Sequence, residues 1–108
     1  MGKYVMVVQS QALEGRDDDY NAWYDGQHFQ DICAIPGVTG GRRLEATPVM
    51  MGEPGLRYLA LYEIEVDNPG TFMAEMGARG ADGGMPVSDA LDHAGVRLWI
   101  YKVSDGYA

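Results

Sequence analysis

Tyr24, His28 and Asp31 follow one another at spacings of four and three residues in NAWYDGQHFQD, the stretch from Asn21 to Asp31. On a helix that spacing puts the three side chains on one stripe. A phenol, an imidazole and a carboxylate in a row can move protons. An imidazole with an ordinary pKa near 6.5 takes or gives a proton close to neutral pH. A phenol can donate to a carbonyl or enolate oxygen. The carboxylate, one turn away, can orient the imidazole or stabilise its charged form. Asn21 extends this stripe, and Trp23 flanks it with Tyr20 and Gln27. The alternative is an ordinary packed face, with His28 bonded to backbone and Asp31 solvated. Packing alone would be served by Leu, Ile or Val.

Other candidates carry the same two readings. Arg42 and Arg43 lie on opposite sides of a strand, so only one can face a given cleft. An inward Arg42 could bind a substrate carboxylate; otherwise both reach solvent. Tyr62 and Trp99, with Tyr4, Tyr58 and Tyr101, could line an apolar cavity or simply form core and interface. His93 in ALDHAG suits a helix end. Cys33 has no basic neighbour in sequence and reads as an inert thiol. Gly26 costs its helix about 1 kcal/mol relative to Ala; it could admit a closely approaching strand or ligand, or have no special role.

The elements that hold these residues can be read from pattern. Lys3–Val8 is a strand. Asp17, Asp18 and Asp19 start a helix running from about Asp18 to Cys33, supplying its N-cap and matching the positive end of its dipole. Pro36-Gly37 ends it. Val38–Ala46 is a second strand and 47–55 a loop. Arg57–Val66 is a third strand. Asn68-Pro69 caps a short helix to about Ala78. Residues 79–86 form a Gly-rich loop, Ser88–His93 one more helical turn, and Val96–Ser104 the last strand. The order β-α-β-β-α-β is the ferredoxin-like pattern, an α+β fold with an antiparallel sheet and helices on one face. A length of 108 residues fits a single domain spanning the chain.

YVMVV, RYLALYEI and VRLWIYKV are apolar on both parities. Tyr58, Ala60, Tyr62 and Ile64 share one face; Leu59 and Leu61 share the other. Both sheet faces therefore need covering. Helices cover one, and a second copy of the chain is the simplest cover for the other.

Composition narrows the function. A net charge of −8 argues against nucleic-acid and anionic-membrane partners. No apolar run reaches the length of a membrane span. The N-terminal MGKYVMVVQSQ is too short in its apolar run for a signal peptide. A single cysteine forms no internal disulfide and fits a cytoplasmic location. The HExxH, paired-cysteine and phosphate-loop patterns are missing, so no metal site is expected.

The residues Trp23, Tyr24, His28, Asp31, Pro36-Gly37-Val38, Arg42 and Arg43 make a pattern, WY-x-x-x-H-x-x-D followed by PGV and RR. It resembles the first helix and second strand of the EthD-like branch of the dimeric α+β barrel superfamily. The motif covers about a quarter of the chain, and the element order extends the match to nearly all of it. The resemblance implies a homodimer with sheets packed face to face and a small-molecule cleft between sheet and helices. Relatives of this kind include cofactor-free monooxygenases, polyketide cyclases, muconolactone isomerases and haem-degrading enzymes. The expectation is an enzyme without a cofactor, moving a proton on an aromatic, lactone or polyketide-like substrate. His28 would be the base, Tyr24 the oxyanion donor and Asp31 the orienting group. Trp23, Asn21, Arg42, Tyr62 and Trp99 would contact substrate. Two alternatives stand beside it: a non-catalytic ligand-binding dimer, and a haem-binding or haem-degrading protein with His28 on iron.

Overall fold

The computed structural model describes residues 2–104. Strand β1 spans Gly2–Ser10, β2 Val38–Glu45, β3 Tyr58–Val66 and β4 Arg97–Lys102. They form one sheet in the order β2-β3-β1-β4, with every neighbouring pair antiparallel. This is the ferredoxin-like arrangement that the element order predicts.

Parity along the strands settles which face meets the helices. Tyr58, Ala60, Tyr62 and Ile64 of β3 are buried, together with Met6 and Val8 of β1. They pack against Tyr20, Tyr24, Ile32, Ile35 and Phe72 from the helical layer. Leu98 and Ile100 of β4 pair with Val8 and Met6 and so lie on this inner face. The opposite face carries Val5, Val7, Leu59 and Leu61, with Trp99 and Tyr101 paired to Val7 and Val5. Trp99 and Tyr101 are 41% and 51% exposed. Among the described residues no helix covers that face.

The first helical segment departs from a continuous α-helix. It begins as α1, Asp17–Trp23, passes through a π-helical turn at Tyr24–His28, and resumes as α2, Phe29–Cys33. In the π turn the Phe29 N–H donates to the Tyr24 carbonyl, five residues back. Relative to an α-helix, one residue is inserted, and the side chains beyond it are rotated by about 100° around the axis. Such turns are rare and often fall at functional sites.

Two helix ends also differ from expectation. The residue before α1 is Arg16, which makes no side-chain cap. Asp17 is instead the first helical residue, and its carboxylate accepts from Tyr58 Oη at 2.7 Å and Arg57 Nη1 at 3.1 Å. Tertiary partners have taken the group that the local pattern assigns to capping. The later helix α3 spans Pro69–Ala81, three residues beyond the expected end. Its start is as expected: Asn68 accepts from the Gly70 and Thr71 N–H groups, with Pro69 next. The extension carries an Arg79–Glu75 pair, and the stop is Gly83 at φ +78°, a left-handed position that favours glycine.

The segment 88–95 holds a turn, a bridge from Leu91 to Ala12 and a 3-10 turn at His93–Gly95 rather than the single helical turn expected over Ser88–His93. A Cβ added at Gly26 would meet nothing within 4 Å, so close approach does not explain this glycine. Gly26→Ala is expected to raise stability by about 1 kcal/mol, measured by chemical denaturation. A loss would mean that the π turn needs glycine.

Candidate functional site

The π turn gathers the rings. His28 lies face to face with Trp23, centroids 4.5 Å apart at 24°, and edge-on to Tyr24 at 4.9 Å. Trp23 is itself fixed, because its Nε1–H donates to the Pro86 carbonyl at 3.0 Å. The Gly-rich loop after α3 is thereby tied to the first helix, with Met85 buried beside it.

Two buried polar atoms here have no hydrogen-bond partner: Nδ1 of His28 and Oδ2 of Asp31. Buried polar groups are nearly always satisfied, so an orphaned pair one helical turn apart needs an explanation. Burial lowers the His28 pKa from 6.5 to about 4; Asp31 opposes this by charge and Arg43 reinforces it. His28 is therefore neutral at physiological pH. A neutral imidazole beside a carboxylate acceptor can receive a proton and have the resulting charge offset.

This shift has a consequence for stability. Between about pH 4 and 6.5 the unfolded chain binds a proton at His28 that the folded chain does not. Stability from this group is complete above 6.5 and falls as pH drops toward 4. His28→Gln should flatten that part of the pH–stability curve. Equal slopes in the two proteins would show that His28 is not held neutral by the fold.

Tyr24 is buried, and its hydroxyl is 2.9 Å from the hydroxyl of Tyr62. Burial raises the Tyr24 pKa to about 12 and raises Tyr62 further. Both stay protonated. One of the two protons makes the bond between them, which leaves the other available to a third group. Gly41 permits this packing on the strand side: a Cβ there would meet Tyr62 at 3.0 Å and Phe29 at 3.2 Å.

Arg43, on the inner face of β2 opposite Ala60, lies over the Tyr24 ring at 4.2 Å. It donates to Asp25 Oδ1 at 2.7 Å and to Asn21 Oδ1 at 3.0 Å. Asn21 in turn donates to the Asp17 carbonyl and the Tyr58 hydroxyl. Tyr20 adds a 2.5 Å hydroxyl contact with Ser10 deep in the core.

The site residues expected from sequence thus divide. Trp23, Tyr24, His28 and Tyr62 share one aromatic cluster, Asp31 lies a turn further on, and Asn21 joins the Arg43 network beside it. Arg42 and Trp99 are not brought to this place. Arg42 pairs with Leu61 and Trp99 with Val7, so strand alternation puts both on the opposite sheet face. Arg43 is the arginine on the helix side. The parity of β2 against the tyrosines of β3 is the signal that would have chosen it.

No family model and no curated protein matches the sequence. Three solved structures are similar over nearly the whole chain. A mutant of MhuD with two manganese protoporphyrin IX molecules bound per active site has a TM-score of 0.67 and 16% identity, covering 97% of this chain and 98% of that one. An ethyl tert-butyl ether (EthD) family protein from Bacillus halodurans has a TM-score of 0.62 and 18% identity, covering 96% and 100%. A dimeric ferredoxin-like protein of unknown function from Jannaschia sp. has a TM-score of 0.59 and 20% identity, covering 94% and 100%. The chain has the ferredoxin-like α+β fold of these proteins, an EthD family member among them. Among the described residues no helix is long and apolar enough to cross a membrane.

Proposed function

We propose that the protein is a homodimeric enzyme of the EthD-like kind that moves a proton on a small aromatic, lactone or polyketide-like molecule without a cofactor. The observation that carries this is the pair of unpartnered buried atoms, His28 Nδ1 and Asp31 Oδ2. A substrate that presents an acidic O–H or C–H would supply what that pair lacks. His28 takes the proton, Asp31 offsets the imidazolium charge, and the positive charge of Arg43 favours the anion left on the substrate. A base with a pKa of about 4 is weak, so the substrate must be an activated acid, such as a phenol bearing electron-withdrawing groups or a carbon acid flanked by two carbonyls. The hydroxyl pair of Tyr24 and Tyr62 offers a neutral donor nearby.

The homodimer is supported by the uncovered apolar face. Val5, Val7, Leu59 and Leu61 lie on it beside the exposed Trp99 and Tyr101.

The test is isotope exchange. In deuterated water a base that removes a C–H proton can return a deuteron, so a substrate should gain deuterium at the attacked carbon only when the protein is present. Saturable binding of phenols, lactones or polyketides without exchange or turnover would leave a non-catalytic binding protein.

The likeness to MhuD supports a second reading, with haem as ligand and His28 on iron. A neutral imidazole nitrogen fits that role. Trp23 stacks on one face of the ring, whereas iron would bind in the ring plane, where Nδ1 is buried. A haem Soret band that shifts when the protein is added, but not when His28→Ala is added, would favour haem over the proton-transfer reading.

A further inference from the structure

Arg43 is a half-buried cation capped by a carboxylate that stands in water. Its side chain is 15% exposed, whereas that of Asp25 is 67% exposed. A cavity of about 280 Å³ opens at this pair, lined by Asn21, Asp25, Arg43, Leu44, Glu45 and Tyr58. We propose that Arg43 anchors the carboxylate of a small aromatic acid in this cavity, and that Asp25 is the internal group which that carboxylate displaces.

The donor inventory supports an exchangeable partner. A guanidinium presents five N–H donors in a planar fork suited to two parallel bonds with one carboxylate. Here Asp25 takes only one, through Oδ1, and Asn21 takes another. The fork is not used in its strongest form. An ion pair with so exposed a partner is weak, and Asp25 returns to water when displaced.

The neighbouring cation is already taken, because Arg57 serves two carboxylates. Asp17 is held by Arg57 and Tyr58, and Glu45 lies 3.7 Å from Arg57. Once Asp25 leaves, Arg43 is the cation at this cavity without a carboxylate. The walls favour a ring: Tyr58 and Leu44 line the cavity, and the Tyr24 ring lies under the guanidinium. The volume is at the small end for ligand sites, which suits one ring and its acid group rather than a polycycle.

This inference deepens the proposed ligand site, because the Tyr24 ring that Arg43 covers also packs against His28. Its test does not depend on catalysis. Benzoate, with benzamide as the neutral isostere, is titrated into the dimeric protein and followed by amide NMR shifts. Benzoate should bind and benzamide should not. Asp25→Asn, which removes the internal competitor while keeping its shape, should tighten benzoate binding about five-fold. Arg43→Gln should abolish it, and Arg43→Lys should retain only part because the fork is lost. Benzoate binding is read without turnover, so failure of the base and failure of the anchor give different results. Unchanged or weaker binding in Asp25→Asn would overturn the proposal, as would equal binding of benzamide. Both outcomes can still be measured if Arg43→Gln does not fold.

Discussion

His28→Ala should lower turnover by about 10²–10⁴-fold, the usual worth of a positioned general base. The variant should still fold, because the imidazole Nδ1 is buried without a hydrogen-bond partner to lose and the ring is not a large apolar core group. Its cost is the lost stacking on Trp23 and edge contact with Tyr24. Tyr24→Phe should cost less activity. The ring stays under Arg43 and against His28, and only the hydroxyl bond to Tyr62 is lost. Its stability should nevertheless fall by about 1–3 kcal/mol, since the Tyr62 hydroxyl is left buried and unpaired. The two variants thus separate: His28→Ala affects turnover more than stability, and Tyr24→Phe the reverse. A large loss of thermal stability in His28→Ala with unchanged turnover would make His28 a packing residue.

Leu61→Asp should convert the dimer to monomer or unfold it. Leu61 sits mid-strand on the uncovered face, between Val7 of β1 and Arg42 of β2. In a face-to-face dimer it is desolvated, and an unpaired carboxylate buried there costs several kcal/mol. In a monomer the same side chain faces water and the change is nearly neutral. Light scattering gives the discriminating mass. A wild-type protein of monomer mass at micromolar concentration, or a Leu61→Asp protein that remains an unchanged dimer, would contradict the proposed interface.

The fold is legible in the sequence because the strands carry strong patterns. Both-sided apolar strands predict two covered faces, and Asn68-Pro69 marks a helix start that the structure confirms. What the strands alone do not show is which face the helices take. That depends on Tyr58, Tyr62 and Met6 fitting beneath Tyr20 and Tyr24, a tertiary match rather than a local one. Helix ends are less legible. Asp17 looks like a cap in sequence, yet Arg57 and Tyr58, some forty residues later, claim its carboxylate.

The candidate site is partly visible. Helical spacing predicts the neighbourhood of Trp23, Tyr24 and His28, and a regular α-helix already suggests it. The π turn cannot be read from YDGQH, because its signal is an i to i+5 hydrogen bond and not a residue pattern. Residue type alone groups Arg42 and Trp99 with His28. Counting alternation from Tyr62 through its neighbour Gly41 puts Arg43 on the inner face instead. The hydroxyl of Tyr24 is a shared donor rather than a free one, because its partner is Tyr62 on a distant strand.

The nitrogen NMR spectrum of His28, recorded against pH and with a phenol as probe, is the most direct test of whether a buried, neutral base awaits a ligand here. His28 should titrate near pH 4 in the free protein, and Nδ1 should shift saturably as the phenol fills its missing hydrogen bond. A His28 that titrates near 6.5, with an Nδ1 resonance unmoved by the probe, would contradict this and describe an exposed imidazole with no site around it.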